Sequence, residues 1–266
     1  MSAITAAKLN VPGGFREMLA ISTPMVVSHA CETLLIFIDR LFLSRIGPEP
    51  MNAAMGGGLS SFMLMTFFVG LIGYTTALVA QYLGAGRKSQ CTVVVAQAML
   101  LVIPATLLIF ACRPLVHLLF GLMDIPAAQR EQQQLYFDIL IYGTPLVLLR
   151  TSLSGFFSGI GRTRIVMISA MVALIVNAGA NYVLIFGHLG FPALGLRGAA
   201  YGTLFSSSCA LLVVLAAYLR RINRDEFSIG ASWLFHRTIM VKLLRYGSPA
   251  GVEMFLNLLA FTLIVL

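Results

Sequence analysis

Asp39 stands inside a largely apolar run of sequence, Met18 to Ser44. A carboxylate near the centre of an apolar membrane helix costs about 2.5 to 3.5 kcal/mol on insertion scales, so it normally faces a polar cavity or binds an ion or a proton. It also lies eight residues before Gly47, about 12 Å of helix rise. That leaves a second explanation: a carboxylate close enough to the outer surface to be solvated. Asn177 and Asn181 stand one helical turn apart, and Ala178, Gly179 and Ala180 between them allow close helix approach. The pair is either part of an ion site or interhelical hydrogen-bonding glue. Thr203 follows Arg197 by six residues on the next run, which returns in the opposite direction. At a rise of about 1.5 Å per residue, these four side chains fall within about 8 Å of one depth. A carboxylate, two amides and a hydroxyl are hard oxygen donors that suit a proton or Na⁺ and not a soft metal.

Other polar residues in apolar surroundings also have two explanations. Glu32 precedes Asp39 by two turns on nearly the same face; it is a second candidate proton site or a carboxylate hydrogen-bonded between helices. Arg40 is turned about 100° from Asp39 and is expected to snorkel outward. Arg150 either pairs with a carboxylate or reaches the inner interface. Glu253, four residues after Pro249, either lines a cavity or belongs with the nearby basic flank. Cys31, Cys91, Cys112 and Cys209 show no CxxC spacing and no Cys/His cluster, which predicts helix packing and neither a disulfide nor a structural metal site. His29, His117, His188 and His236 are scattered and carry no assignment. No set of nucleophile, base and oxyanion donors is visible, so an enzyme is not expected.

The elements that must position these residues are membrane spans. With 59% hydrophobic and 11% charged residues and a mean hydropathy of +0.91, the chain is far from the roughly 25% charged residues of a soluble domain. Residues 50 to 86, 89 to 112, 165 to 196 and 198 to 219 hold no Asp, Glu, Lys or Arg, and each exceeds or matches the roughly 20 apolar residues that cross a bilayer. Three further runs carry isolated charges: Met18 to Ser44, Leu135 to Gly159 and Lys242 to Leu266. Seven spans result, expected to be helices because they exceed the roughly 10 residues of a barrel strand. The net charge of +8 sits in short clusters between spans, unlike a nucleic-acid-binding face. With the N-terminus inside, twelve Lys and Arg residues fall in inner segments against four in outer ones, as the positive-inside rule requires. No removable signal peptide is expected. Gly84-Ala85-Gly86-Arg87-Lys88 and Gly159-Ile160-Gly161-Arg162-Thr163-Arg164 read as tight inner turns, and Arg113 to Gln134 as an interfacial helix or lid. Pro24, Pro104, Pro145 and Pro249 mark candidate bends.

Aligned on their prolines, Leu19 and Ser22-Thr23-Pro24 face Leu244 and Gly247-Ser248-Pro249. This echo suggests that the seventh span opens a second copy of a six-helix unit, with the chain ending in mid-span. Five features then carry a resemblance: Pro24 with Asp39; Ala80-Gln81-Tyr82-Leu83-Gly84-Ala85-Gly86-Arg87; Gly159 to Arg164; Asn177-Ala-Gly-Ala-Asn181 leading to Gly195-Leu-Arg-Gly198; and Tyr246-Gly247-Ser248-Pro249-Ala-Gly-Val-Glu253. Together they resemble the multidrug and toxic compound extrusion (MATE) transporters, truncated after the start of the seventh helix.

The resemblance implies an all-α, polytopic membrane helix bundle of two six-helix lobes around a central cavity. Residues 1–220 would form the amino-terminal lobe, 221–240 a cytoplasmic inter-lobe linker and 241–266 the incomplete first helix of the second lobe. It implies a multi-pass protein of the plasma (bacterial inner) membrane with a cytoplasmic N-terminus. Its activity would be secondary antiport, exporting amphipathic, often cationic compounds in exchange for Na⁺ or H⁺. No cofactor, nucleic acid or obligate protein partner is implied. Asp39 matches the family's ion-coupling acid, and Asn177, Asn181 and Thr203 match polar positions of the same site. Asn181, where some proton-coupled members carry Asp, resembles the NorM-like branch. A second-lobe acid of that branch falls at Asn257, with Glu253 one turn earlier. Alternatives are a lipid or lipid-linked oligosaccharide flippase of the same superfamily, which needs a strongly cationic cavity, and a seven-helix receptor, which leaves Asp39 and the asparagines unexplained.

Overall fold

The computed structural model describes residues 14–123, 125–220, 226–227 and 235–265. Lys8, Arg221 and Arg224, counted above among inner basic residues, lie outside the described residues, as do Leu266 and most of the expected linker 221–240. The helices are α1 Phe15–Ser44, α2 Pro48–Gly73, α3 Thr75–Gly84, α4 Lys88–Ala111, α5 Arg113–Leu122, α6 Ala127–Ile141, α7 Thr144–Gly159, α8 Thr163–Phe186, α9 Leu196–Tyr218 and α10 Arg237–Val265. In a bilayer each backbone polar group must be satisfied within its own segment, which is why the apolar runs close into helices.

Among the described residues, five stretches are long and apolar enough to cross a membrane: Met18–Ser44, Pro48–Gly84, Lys88–Leu122, Thr163–Phe186 and Leu196–Tyr218. Helices α6 and α7, bent by 44° at a short break, make a sixth when taken together. The break falls just before Pro145, which has no N–H to donate and disfavours helix at the residue before it. Pro24, Pro104 and Pro249 instead lie inside continuous helices. The expected seventh span is also a helix, α10.

Two boundaries differ from the charge-free runs. The fifth span stops at Gly187, whose left-handed φ of 76° ends α8, so apolar residues beyond it belong to a turn. The third continues into α5, and the 35 residues Lys88–Leu122 reach about 52 Å, well beyond a hydrocarbon core of about 30 Å. Helix α5 buries Val116 and Phe120 while exposing Leu115, Leu118 and Leu122, the pattern of an interfacial helix. Asp138 accepts from Arg113 Nε and Nη2, each at 2.7 Å, and lies 2.8 Å from His117 Nε2, so the charge within α6 is compensated from α5.

Both Gly-x-Gly-Arg turns close in the same way. Gly86 N–H donates to Leu83 and Arg87 N–H to Tyr82; Gly161 N–H donates to Ser158 and Arg162 N–H to Phe157. Gly86 and Gly161 have φ of 73° and 75°, the left-handed stop that glycine makes cheap. Glu226 bridges the two turns, accepting from Lys88 Nζ at 2.9 Å and Arg162 Nη2 at 2.8 Å. Beside it, Phe227 is buried against Phe156 with ring centroids 5.2 Å apart, and its carbonyl accepts from Thr92 Oγ1 at 3.0 Å. These contacts define a basic end of the bundle. Helix α10 rests on α2, where a Cβ on Gly70 would lie 2.7 Å from the Cα of Gly251. Gly247 and Gly251 form the small-xxx-small spacing that lets membrane helices touch backbone to backbone.

Lys88 and Arg162 hold the Glu226 carboxyl below its ordinary value by hydrogen bonding to its charged form. The bridge is therefore complete above the usual carboxylate range and is lost as pH falls through the lowered value. The protection of a peptide containing Phe227, taken as its hydrogen exchange relative to the intrinsic rate at the same pH, should fall at acid pH and in high salt, which screens exposed charges. Glu226→Gln should show the lowered protection already at neutral pH.

Candidate functional site

Helix α8 lies between α1 and α9 and packs along both. Asp39 on α1 accepts hydrogen bonds from Asn181 Nδ2 on α8 and, at 3.4 Å, from Thr203 Oγ1 on α9. Asn181 Nδ2 also donates to Asn177 Oδ1 at 3.2 Å. Both asparagines are fully buried. The four residues drawn together by depth in the sequence are thus one hydrogen-bonded cluster.

Residues one turn farther from the basic end bear on the two explanations of Asp39. Leu43 and Ile185 follow Asp39 and Asn181 by four residues, and Ala199 precedes Thr203 by four on the antiparallel helix; their exposures are 1%, 1% and 0%, and they belong to one apolar cluster. An apolar layer therefore lies between the hydrogen-bonded cluster and the nearer end of the bundle, while Asp39 itself is half-buried and faces a cavity that Leu43 also lines. Asn177 Nδ2 and Asn181 Oδ1 have no hydrogen-bond partner among the described residues. A buried polar atom left unpaired costs about 1 to 3 kcal/mol. Rotating the Asn181 amide exchanges its donor and acceptor and would turn an oxygen toward the carboxylate.

Asp39 and Thr203 also line a cavity of about 350 Å³. Tyr136 and Ser207 add hydroxyls to its wall, and Leu35, Met55, Phe62 and Met65 make much of the rest apolar. Arg40 is exposed yet lines this same cavity; outward snorkelling is therefore not its whole placement. Tyr136, Ser207 and Gly202 were not legible as site residues. A Cβ on Gly202 would lie 3.2 Å from Asn181 Cγ and closer still to its oxygen, so this glycine makes room for the amide. The available signal was its position, one residue before Thr203.

Glu32 and Arg150 resolve each other. Arg150 Nη2 donates to Glu32 Oε1 at 2.5 Å, and His29 Nδ1 lies 3.6 Å from Glu32 Oε2. Glu32 is thus hydrogen-bonded between helices, and Arg150 has found a carboxylate. Glu253 and Asn257 are exposed on α10 and do not line the Asp39 cavity. Pro24 is buried within α1, where its carbonyl accepts from Ser28 Oγ at 2.8 Å.

The sequence profile of the MatE family matches residues 24–183, more than half of the chain and a segment that includes Asp39, Asn177 and Asn181. The chain belongs to the MatE family. It is 26% identical over 255 residues to a probable multidrug resistance protein NorM of Shewanella oneidensis, covering 94% of this chain and 55% of that one. It is 28% identical over 272 residues to the multidrug resistance protein PmpM of Pseudomonas aeruginosa, covering 97% and 54%. The MatE chain thus spans about half the length of the curated relatives it matches. Among solved structures, an outward-facing multidrug resistance MATE transporter of the MOP superfamily superposes with a TM-score of 0.79 at 23% identity, over 90% of this chain and 52% of the other. The eukaryotic MATE transporter AtDTX14 does so at 0.79 and 17%, over 94% and 55%. Both likenesses show the fold. MatE proteins are multidrug efflux transporters that need no cofactor and are not enzymes, and this chain is a multi-pass membrane protein.

Gly202→Ala should force the Asn181 amide out of place and cost about 1 to 3 kcal/mol, the range for overpacking. Thermal unfolding of the full-length protein in detergent measures it; an unchanged Tm would mean that α8 and α9 separate without cost.

Proposed function

We propose that the full-length protein is a secondary antiporter that exports amphipathic, often cationic compounds in exchange for Na⁺ or H⁺. The observation that carries this reading is the cluster around Asp39: a carboxylate bonded by the buried Asn181 and by Thr203, with the buried Asn177 bonded in turn to Asn181, and lining an apolar cavity. Carboxylate and amide oxygens are ligands for a hard cation, and a carboxylate is equally a proton acceptor. The apolar wall, with its methionines, suits amphipathic substrates of varied shape. An ion entering from outside occupies Asp39 and its amide neighbours, repacks α1 near Pro24 and lowers the affinity for bound substrate. Alternating access then exchanges the two.

The bundle's basic end faces the cytoplasm of a bacterial inner membrane in this proposal, supported by the bias of Lys and Arg toward that end. Residues 1–220 form the amino-terminal lobe, 221–240 the inter-lobe linker and 241–266 the opening helix of a second lobe that shares the central cavity. Small amphipathic molecules and the lipid bilayer are its partners. A flippase for lipid-linked pyrophosphates is less well supported, because Arg150 is engaged by Glu32 and Arg40 is left as the cationic residue at the cavity.

Asp39→Asn keeps the shape and removes the charge. It should reduce ion-driven efflux by about tenfold or more, since a hydrogen bond to a charged group contributes about 1.5 to 3 kcal/mol. Retained, gradient-dependent efflux from cells expressing the full-length variant would sink the role. Asn177→Ala and Asn181→Ala should each shift the apparent ion affinity; unchanged ion dependence in both would leave them as interhelical glue.

A further inference from the structure

Helix α1 is held to its neighbours by three polar contacts at three heights. Near the basic end, the carbonyl of Ile21 accepts from Thr163 Oγ1 at 3.0 Å. Farther along come Glu32 with Arg150 and then Asp39 with Asn181 and Thr203. Pro24 falls between the first contact and the other two. Its missing N–H leaves the carbonyl one turn earlier without a helical donor, so the helix is softest there, and the segment beyond it is held by its packing along α8 and by the two charged contacts. Glu32 and Asp39 are seven residues apart, close to two full turns, and therefore hold one face of α1.

The lower of these contacts crosses the cavity's base. Leu35 and Ile36 on α1 and Val147 on α7 line the cavity; Glu32 and Arg150 each lie about one turn nearer the basic end of the same helices. Helix α1 scarcely packs against α7, so the long Arg150 side chain spans a gap that helix contact does not close. Each charge alone is costly within a membrane helix, and each neutralises the other. The Glu32 side chain is 48% exposed and that of Arg150 23%, so the pair is open on the α1 side and can part without unpacking a core.

We propose that Glu32 and Arg150 are positioning residues: their ion pair is a second tether of the α1 segment beyond Pro24, closing the base of the cavity beneath Asp39. Each tether adds to the hold on that segment, so the pair sets how much of the α1 population stays seated before any ion reaches Asp39. This consequence for coupling rests on the antiport reading; the tether itself does not.

A distance measurement tests it without transport. Spin labels at Ser44→Cys, the end of α1, and Leu122→Cys, the end of α5, are read by pulsed electron resonance in the full-length protein without its native cysteines. With Glu32 and Arg150 present, a single narrow distance is expected. Glu32→Gln and Arg150→Gln should each add a population displaced by up to about one helix diameter, 10 Å, and the exchanged pair Glu32→Arg with Arg150→Glu should restore the single distance. Glu32→Asp, which keeps the charge, should resemble the unsubstituted protein and guards against a glutamine variant that does not fold. Unchanged distances in both glutamine variants, or an exchanged pair no better than either single change, would overturn the tether. Asp39→Asn efflux is read separately, so failure of the coupling role and failure of the tether are distinct results.

Discussion

A carboxylate in a hydrocarbon environment must be matched by donors that the same fold supplies, and here those donors come from two other helices. Asp39 is satisfied by Asn181 of α8 and Thr203 of α9, and neither amide nor hydroxyl can reach it unless three helices meet at one depth. That requirement sets the local architecture. Gly202 brings α9 close enough for the Asn181 amide to fit between backbone and carboxylate. The apolar layer of Leu43, Ile185 and Ala199 packs against the cluster one turn farther from the basic end, and a low-dielectric neighbourhood strengthens the polar contacts it surrounds.

The rest of the bundle can be described by how it leaves this cluster both supported and reachable. The cavity gives the carboxylate one open side, while α6 contributes Tyr136 to the wall. At the basic end, two matched glycine turns and Glu226 lock the helix ends together. Helix α1 has the smallest buried share of the five spans and carries a proline inside it. A single helix, soft at Pro24 and fixed beyond it by charged contacts, is a suitable element for converting ion occupancy into movement.

Much of this was legible from residue types because the membrane penalises polarity so heavily. Asp39, Asn177, Asn181 and Thr203 are conspicuous in apolar runs, and helix rise alone placed them at one depth. The tight basic turns were legible from their glycines. Span ends were less so: charge-free sequence carries no mark where a helix stops, and α8 ends at Gly187 while the apolar composition continues. Pairings between distant helices were also hidden. Glu32 and Arg150 are 118 residues apart, and their types give a choice of partners without selecting one. Nothing in its type marks Tyr136 among the eight tyrosines of the chain; only the fold brings it to the cavity wall.

In the proposed antiport, Asp39 is the group that changes state when the coupling ion or proton binds. Infrared difference spectra of the full-length protein, recorded as Na⁺ or pH is stepped, read the carboxyl and carboxylate stretches directly. A band that responds to the step and vanishes in Asp39→Asn is the predicted result. The same band persisting in Asp39→Asn would contradict it and move the coupling site elsewhere.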